Sequence, residues 1–346
     1  MKGYLGLLIA CLVVSAHAEI KRTPSGKPDF SGVYDIGTLT PLNRPEAFGD
    51  NKFMTQDDAA KVVARTKAIF DFANRESDPN RGAPQKGGDG NNTAGAGGVG
   101  GYNAFWIDPG TQAFEIDGRF RTSIIYDPAN GRQPPRSAEA ISNMRTAYKS
   151  FAHDNDGTAS WLASSGPGPF DGPESLAPSE RCLISFGSTV PMLPSLYNNY
   201  KRILQTDDYV MILQEMVHDA RIIRMDTTHM PTANRKWMGD SVGRWEGDTL
   251  VVSTKNFRAV NGLAGADENL LVTERFNMRD DGTLVYDFTV DDPTAWTASW
   301  RGEYAWTRSA DKVYEYACHE GNYAMGNILR GARLLESEWR SPDAAR

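Results

Sequence analysis

The sequence has 346 residues, of which 23% are charged, and its net charge is −7 at pH 7. A net acidic chain without a cluster of lysine and arginine argues against nucleic acid or an anionic membrane surface as its partner. Composition therefore favours a small molecule as ligand or substrate, and no pattern in the sequence predicts an oligomeric state.

Residues 1–18 predict an export signal. Lys2 precedes the apolar run LGLLIACLVV, and Ala16-His-Ala18 resembles a signal cleavage site. The run is too short to span a bilayer, and no later segment reaches the ~18 apolar residues that a spanning helix needs. We therefore expect a periplasmic or secreted protein. In the alternative interpretation, Cys11 lies in a lipobox and anchors the chain through a lipid.

Removal of the signal would leave two cysteines, Cys182 and Cys318. In an oxidising compartment such a pair predicts one disulfide. Two separately buried thiols are the alternative.

Residues 19–180 predict an extended and helical N-terminal section. Thr55 and Asp58 form a capping-box pattern, and apolar residues at helical spacing follow it, so a helix is expected near 55–75. Residues 79–101 are nearly half glycine, which predicts either a disordered loop or a lid.

Two further elements follow in this section. RTSIIYD, residues 121–127, predicts a strand that ends in the turn DPANG. Ser137 predicts the N-cap of a helix that runs to Phe151.

Residues 181–320 predict a β-barrel. Strand-like segments recur with short links: YKRILQ, YVMILQEMV, RIIRMD, GRW, TLVVSTKNF, NLLVTERFNM, TLVYDFTV, TASWRGEYAWTR and KVYEYAC. Short links predict an antiparallel up-and-down meander, and about nine strands would close into a barrel to remove their edges. With a final helix in 321–346, the fold class is mainly β with flanking helices.

Several motifs carry a resemblance. PDFSGVYD, YNNYKRILQTDDYVMILQEMVHDARII, WMGDSVGRWEGDTLVVSTKNF and YEYACHEGNY together resemble a family of uncharacterised exported bacterial proteins. The resemblance covers most of the chain after the signal and implies no particular activity. The strand pattern is also similar to lipocalin-like barrels, in architecture only.

The stretch EMVHDARIIRMDTTHM, residues 215–230, predicts an acid–base site. Glu215, His218 and Asp219 place carboxylates and an imidazole beside an apolar strand, where burial and mutual charge shift pKa values toward neutrality. Alternatively, Glu215 pairs with Arg221 or Arg224 across a hairpin, and His218 caps a turn.

A second group of candidates lies in YACHEGNY, residues 316–323. We expect His218 to act as base, and His319 or Glu320 as acid, if these segments meet at the barrel mouth. The residues expected to contact a ligand are His229, Arg221, Trp296, Trp300 and Tyr323. The even spacing of Trp296, Trp300 and Trp306 predicts a shared face, which would line either a cavity or the core.

No cofactor is predicted, because neither HExxH nor paired CxxC motifs occur. If a metal were bound, zinc held by His218, His229 and His319 would be the expected set. Ser241 lies in a literal GxSxG match, but a hairpin surrounds it instead of a strand and a helix, so we assign it to a turn.

Two functions remain open at this level. The first is an exported enzyme, of lyase, isomerase or hydrolase type, that acts on a small apolar or glycosidic molecule in the barrel cavity. The second is a periplasmic carrier of an apolar small molecule, which needs no catalytic group.

Overall fold

The structure is a computed structural model that describes residues 20–74, 80, 82, 106–152, 156–185 and 189–341. The predicted export signal with Cys11, and nearly all of the glycine-rich stretch at 79–101, lie outside the described residues. Within the described ranges, none of the helices combines the length and the apolar character needed to cross a bilayer.

The described residues form twelve strands and five α-helices. The strands are β1 (Gly32–Asp35), β2 (Glu115–Ile116), β3 (Arg119–Phe120), β4 (Ile125–Asp127), β5 (Tyr200–Gln205), β6 (Tyr209–Gln214), β7 (Ala220–Met225), β8 (Asp240–Glu246), β9 (Thr249–Lys255), β10 (Leu271–Met278), β11 (Leu284–Asp291) and β12 (Trp300–Ser309). The helices are α1 (Gln56–Ala73), α2 (Ala138–Ala147), α3 (Lys149–Ala152), α4 (Cys318–Gly321) and α5 (Tyr323–Arg340).

Nine strands close into a barrel. Their order is β1, β5, β6, β7, β8, β9, β10, β11 and β12, and β1 also pairs with β12. Closure removes the free edges that a large open sheet would expose. The predicted fold class, a mainly β protein with a barrel and flanking helices, is confirmed.

The barrel is mixed rather than wholly antiparallel. β7 and β8 run parallel, with Ile223 opposite Ser241. Parallel neighbours need a crossover instead of a tight turn, and residues 226–239 supply it. We call residues 226–239 the crossover segment. The predicted all-antiparallel meander is wrong at this one pair.

The strand that closes the barrel comes from the N-terminal section. KVYEYAC, predicted as the last strand, forms no strand in the structure. The edge of β12 is instead shared by β1, with Val33 opposite Ser309, and by β4, with Ile125 opposite Gly302. Because these partners are far away in sequence, the local pattern did not reveal them.

The predicted N-caps at Thr55 and Ser137 are confirmed, and so is the helix near 55–75. The helix expected to run from Ser137 to Phe151 is instead interrupted at Tyr148, between α2 and α3. Thr55 Oγ1 accepts a hydrogen bond from the Asp58 backbone N–H at 3.1 Å, and the Asp58 carboxylate accepts from the Thr55 N–H at 3.2 Å. Ser137 caps α2 by accepting from the Ala140 N–H at 2.9 Å. The C-terminal helix is α5.

The predicted disulfide is also confirmed. Cys182 and Cys318 are bonded, with their Cα atoms 5.8 Å apart. Asn322 Nδ2 donates to the Glu180 carbonyl at 2.8 Å. The disulfide and this hydrogen bond together hold the chain around α4 and the start of α5 to residues 180–182, which precede β5.

Side chains fill the barrel. Alternate residues of the last three strands are buried in its core: Val272, Glu274, Phe276 and Met278 on β10; Leu284, Tyr286, Phe288 and Val290 on β11; Trp300, Tyr304 and Trp306 on β12. The ring of Tyr286 lies 5.0 Å from that of Trp306 and 5.6 Å from that of Tyr304, between centroids. Tyr304 also donates to the carbonyl of the fully buried Met192 at 2.8 Å.

Trp296 and Trp300 are therefore core residues, with 2% and 0% of their surface exposed. The alternative that placed the tryptophans in the core is correct for both. Aromatic rings pack where the cavity was expected, so the prediction of a ligand inside the barrel loses its structural basis.

Candidate functional site

His218 does not lie on the barrel wall. β6 ends at Gln214, and Met216–His218 form a short 3-10 turn in which Val217 and His218 have positive φ angles of 61° and 59°. The prediction that the strand continues through Val217 is wrong, because the chain turns here to enter β7. His218 is exposed beside Asp219.

Glu215 is buried, but it does not pair with Arg221 or Arg224. Its carboxylate accepts a hydrogen bond from the Tyr314 N–H at 3.0 Å. Burial lowers the pKa of the neighbouring Lys201 to about 8, while the charge of Glu215 acts in the opposite direction. Glu215 therefore anchors the segment after β12 and offsets a buried cation.

Arg221 belongs to a group inside the barrel that we call the interior polar cluster: Arg221, Ser241, Thr254, Glu274 and Tyr286. Arg221 makes a two-point ion pair with Glu274, in which Nη1 donates to Oε1 at 2.8 Å. Its Nε donates to Ser241 at 3.0 Å, its Nη2 donates to Thr254 at 2.7 Å, and the Tyr286 hydroxyl donates to Glu274 at 2.7 Å. Every donor group of Arg221 is thus engaged within the core.

Ser241 consequently faces the core and not a turn. It is 3% exposed on β8 and bonded to Arg221, so the assignment to turn geometry is wrong, although the GxSxG match still marks no nucleophile.

The residues of YACHEGNY remain on the surface. His319 and Glu320 are exposed on α4, and Tyr323, at the start of α5, is 78% exposed. The structure gives these three side chains no shared cavity with His218. In the described ranges, no group of three His, Cys, Asp or Glu side chains is placed to hold a metal ion, and His218, His229 and His319 do not form one.

The structure does assemble one constellation that the sequence did not indicate. Asp240, at the start of β8, holds the crossover segment against the outer wall. Its carboxylate accepts from the Met230 N–H at 2.9 Å and from Arg224 Nη2 at 3.0 Å. Asn256 Nδ2 donates to the Met230 carbonyl at 2.8 Å. These contacts fix the neighbouring residue, His229.

His229 bridges Asp240 and Ser253. Its Nδ1 lies 3.1 Å from Asp240 Oδ2, and its Nε2 lies 3.2 Å from Ser253 Oγ. Ser253 is half-buried in the middle of β9, and 14% of the His229 side chain is exposed. We call these three residues the Ser–His–Asp relay. The order of atoms is that of a nucleophile, a base and the carboxylate that orients the base.

The electrostatics keep Asp240 ionised. Burial acts to raise its pKa, but hydrogen bonds from the Met230 N–H and His229, together with the charge of Arg224, lower the pKa below its usual value. An ionised Asp240 accepts a proton-bearing Nδ1, so Nε2 is left free to accept from the Ser253 hydroxyl.

Sequence reasoning missed Ser253 because TLVVSTK predicts only a strand. Twenty-four residues separate it from His229, and only the crossover between parallel strands brings the two together. Of the predicted site residues, His229 belongs to the Ser–His–Asp relay, and Asp219 lines a cleft in the surface.

Asp219 lines a cleft of about 420 Å³ between the start of β7 and the start of β8, which we call the Asp219 cleft. A larger cavity of about 550 Å³ lies beside the disulfide. Two carboxylates line it, Glu180 and the exposed Glu315, and Glu180 already accepts hydrogen bonds from the Ser150 hydroxyl and the Ala177 N–H, each at 2.7 Å. In the Asp219 cleft, Asp219 Oδ2 is buried without a hydrogen-bond partner among the described residues.

Burial raises the pKa of Asp219 to about 6, and the nearby His218 lowers it only in part. A carboxyl group with a raised pKa destabilises the fold once it ionises, and the effect disappears when both folded and unfolded forms are protonated. We therefore expect Asp219→Asn to be more stable than the wild type at pH 8. The advantage should shrink as the pH falls from 6 toward 4.

Urea unfolding at pH 8, 6 and 4 measures this difference, and the exposed Asp226→Asn on the crossover segment is the matched control. An advantage that is constant with pH, or shared by Asp226→Asn, would contradict the burial of an ionised Asp219.

In comparisons with known proteins, no family model matches the chain and no curated protein matches it. The resemblance to a family of exported bacterial proteins therefore stays a prediction.

Proposed function

We propose that this protein is an exported hydrolase that cleaves an ester or a related acyl bond with Ser253 as the nucleophile. The hydrogen-bonded chain from Ser253 through His229 to Asp240 is the observation that supports it. Hydrolase chemistry is also one of the three acid–base classes expected from the sequence, and His229 was among the expected site residues.

The chemistry follows from the three side chains. His229 Nε2 takes the Ser253 proton as Oγ bonds to the acyl carbon, and the imidazolium is stabilised by Asp240. The leaving alkoxide then departs with the proton from Nε2, which leaves an acyl-serine. Water, deprotonated by the same nitrogen, attacks this ester and releases the acid and free Ser253.

Two features support the export part of the proposal. A disulfide between Cys182 and Cys318 persists in oxidising compartments and is rare in a reducing cytosol. Residues 1–18 have the pattern of a cleaved export signal.

Covalent labelling tests the nucleophile without knowledge of the substrate. We expect a fluorophosphonate to add one phosphonyl group to the purified protein, detected by intact mass, and peptide mapping should place it on Ser253. Because the relay activates the hydroxyl, Ser253→Ala should take up no label, and His229→Ala should react about 100-fold more slowly or worse.

Thr273→Ala is the matched control, since Thr273 lies directly opposite Ser253 on β10 and has no part in the relay. It should label at the wild-type rate. The proposal is wrong if the wild type takes up no label, or if the label sits on another serine.

A further inference from the structure

The Asp219 cleft contains a carboxylate oxygen that no protein group satisfies. Asp219 Oδ2 is buried, and it has no hydrogen-bond partner within the structure. A buried acceptor without a partner destabilises the folded state. Asp219 also lines the open cleft, so its carboxylate is a candidate contact for a ligand that brings a donor.

The other charged side chains of the cleft already have partners of opposite charge. Arg221 is committed to Glu274 in the interior polar cluster. Arg224 donates to Asp240 at 3.0 Å, and the Lys236 ammonium lies 3.8 Å from the same carboxylate. The charged or titratable groups around Asp219 are His218, Arg221, Arg224, Lys236, Asp240 and Tyr209.

Asp219 is thus the carboxylate of this cleft that lacks a cationic side chain of its own among the described residues. His218, its neighbour in sequence, is exposed and is the one group that opposes the rise in its pKa. At neutral pH, with a pKa of about 6, Asp219 is mostly ionised. A ligand that completes this site carries a positive charge or a strong donor.

The rest of the cleft wall is largely apolar. Trp237 and Met238, from the crossover segment, line the cleft together with Ile222 and Tyr209 of the barrel wall. Ile222 and Tyr209 are 47% and 52% exposed, which is high for side chains of their size and apolar character. A volume of about 420 Å³ suits a small molecule with one ring and a short chain.

We propose that the Asp219 cleft binds a small organic ammonium, whose nitrogen pairs with the Asp219 carboxylate and whose aromatic or apolar body lies against Trp237, Met238 and Ile222. This binding site stands apart from the hydrolase proposal. His229 and Ser253 do not line the cleft, and only Asp240 belongs to both sites.

Calorimetry with three probes of matched shape tests the proposal. They are 2-phenylethylamine, 2-phenylethanol and 3-phenylpropanoate, titrated at pH 7.5 into the full chain carrying Ser253→Ala, so that hydrolysis plays no part. We expect the amine to bind at least ten-fold more tightly than the alcohol, because only the amine pairs with the ionised carboxylate. The carboxylate probe should not bind.

Two substitutions locate the contact. Asp219→Asn should weaken amine binding at least ten-fold, whereas Asp226→Asn, an equal loss of charge at an exposed position, should leave the affinity within two-fold. Affinity should also fall between pH 7.5 and pH 5 as Asp219 takes up a proton. The same fall in affinity should be seen in His218→Gln, which would show that the pH dependence comes from Asp219 and not from its neighbour His218.

Equal binding of amine and alcohol, tighter binding of the carboxylate, or no binding of the amine at millimolar concentration would each overturn the proposal. These outcomes are independent of fluorophosphonate labelling at Ser253. Failure of the binding site and failure of the hydrolase are therefore distinguishable.

Discussion

Glu274→Leu should lower the free energy of unfolding by about 3–5 kcal/mol. Glu274 is fully buried and pairs with Arg221, which is 2% exposed. Removal of the carboxylate leaves a guanidinium in the core without its counter-charge, and it also takes away the acceptor of the Tyr286 hydroxyl. Urea unfolding followed by tryptophan fluorescence measures the loss.

The double variant Arg221→Met, Glu274→Leu distinguishes this cause from loss of packing. Because neither charge remains buried, most of the stability should return. Glu246→Gln is the surface control. Glu246 pairs with Arg244 and Arg275 on the exposed wall, where solvent screens the charges, so its loss should destabilise the fold far less than Glu274→Leu does. A double variant as unstable as Glu274→Leu would contradict the explanation.

The interior polar cluster has this large expected effect because of where its members lie. Its five residues come one each from β7, β8, β9, β10 and β11, and Arg221 bonds to three of the other four. The cluster spans the parallel junction between β7 and β8, where the strands lack a hairpin turn to set their register. The cluster therefore helps to set the register of β7 against β8, the two strands that the crossover segment connects.

Asp240→Asn should reduce the rate of ester cleavage roughly ten-thousand-fold, the loss seen when the same change is made in serine proteases. An amide donates to His229 Nδ1, which moves the imidazole proton to Nε2. Nε2 then lacks the lone pair that accepts the Ser253 proton. Steady-state kinetics with p-nitrophenyl acetate, reported as kcat, measures the change.

The relay predicts a second kinetic property. Because its residues act as a unit, His229→Ala combined with Ser253→Ala should be no slower than Ser253→Ala alone. Thr273→Ala should retain the wild-type kcat. If the double variant lost kcat by the product of the two single losses, His229 and Ser253 would act separately. If Asp240→Asn kept a near-normal kcat, Asp240 would have no part in the mechanism.

Elements stabilised by near neighbours in sequence were predictable. The capping box of Thr55 and Asp58 needs only one turn of chain, and it marked the start of α1. The strand-like segments NLLVTERFNM and TLVYDFTV are β10 and β11 in the structure. In the turn between them, Gly282 takes the positive φ of 84° that such turns require.

The errors arose where distant segments decide the structure. KVYEYAC has a strand-like pattern, yet β12 pairs with β1 and β4 instead. The pattern extended the strand past Glu215 to Val217, but the chain turns after Gln214, so that Glu215 is buried and His218 is exposed to solvent. The local sequence pattern does not show whether a buried polar side chain has a hydrogen-bond partner elsewhere in the chain, as Glu215 has in the Tyr314 N–H.

The sequence by itself determined the class of the fold, because period-two burial, turn residues and helix caps act over a few residues. It also predicted the disulfide, because removal of the expected export signal would leave Cys182 and Cys318 as the one possible pair, and the structure joins these two cysteines. Tertiary structure alone decided the site. Ser253 and His229 meet only because the crossover segment folds back over the wall and Asp240 holds it there, and the path of a crossover depends on packing between elements and not on the propensity of its own residues.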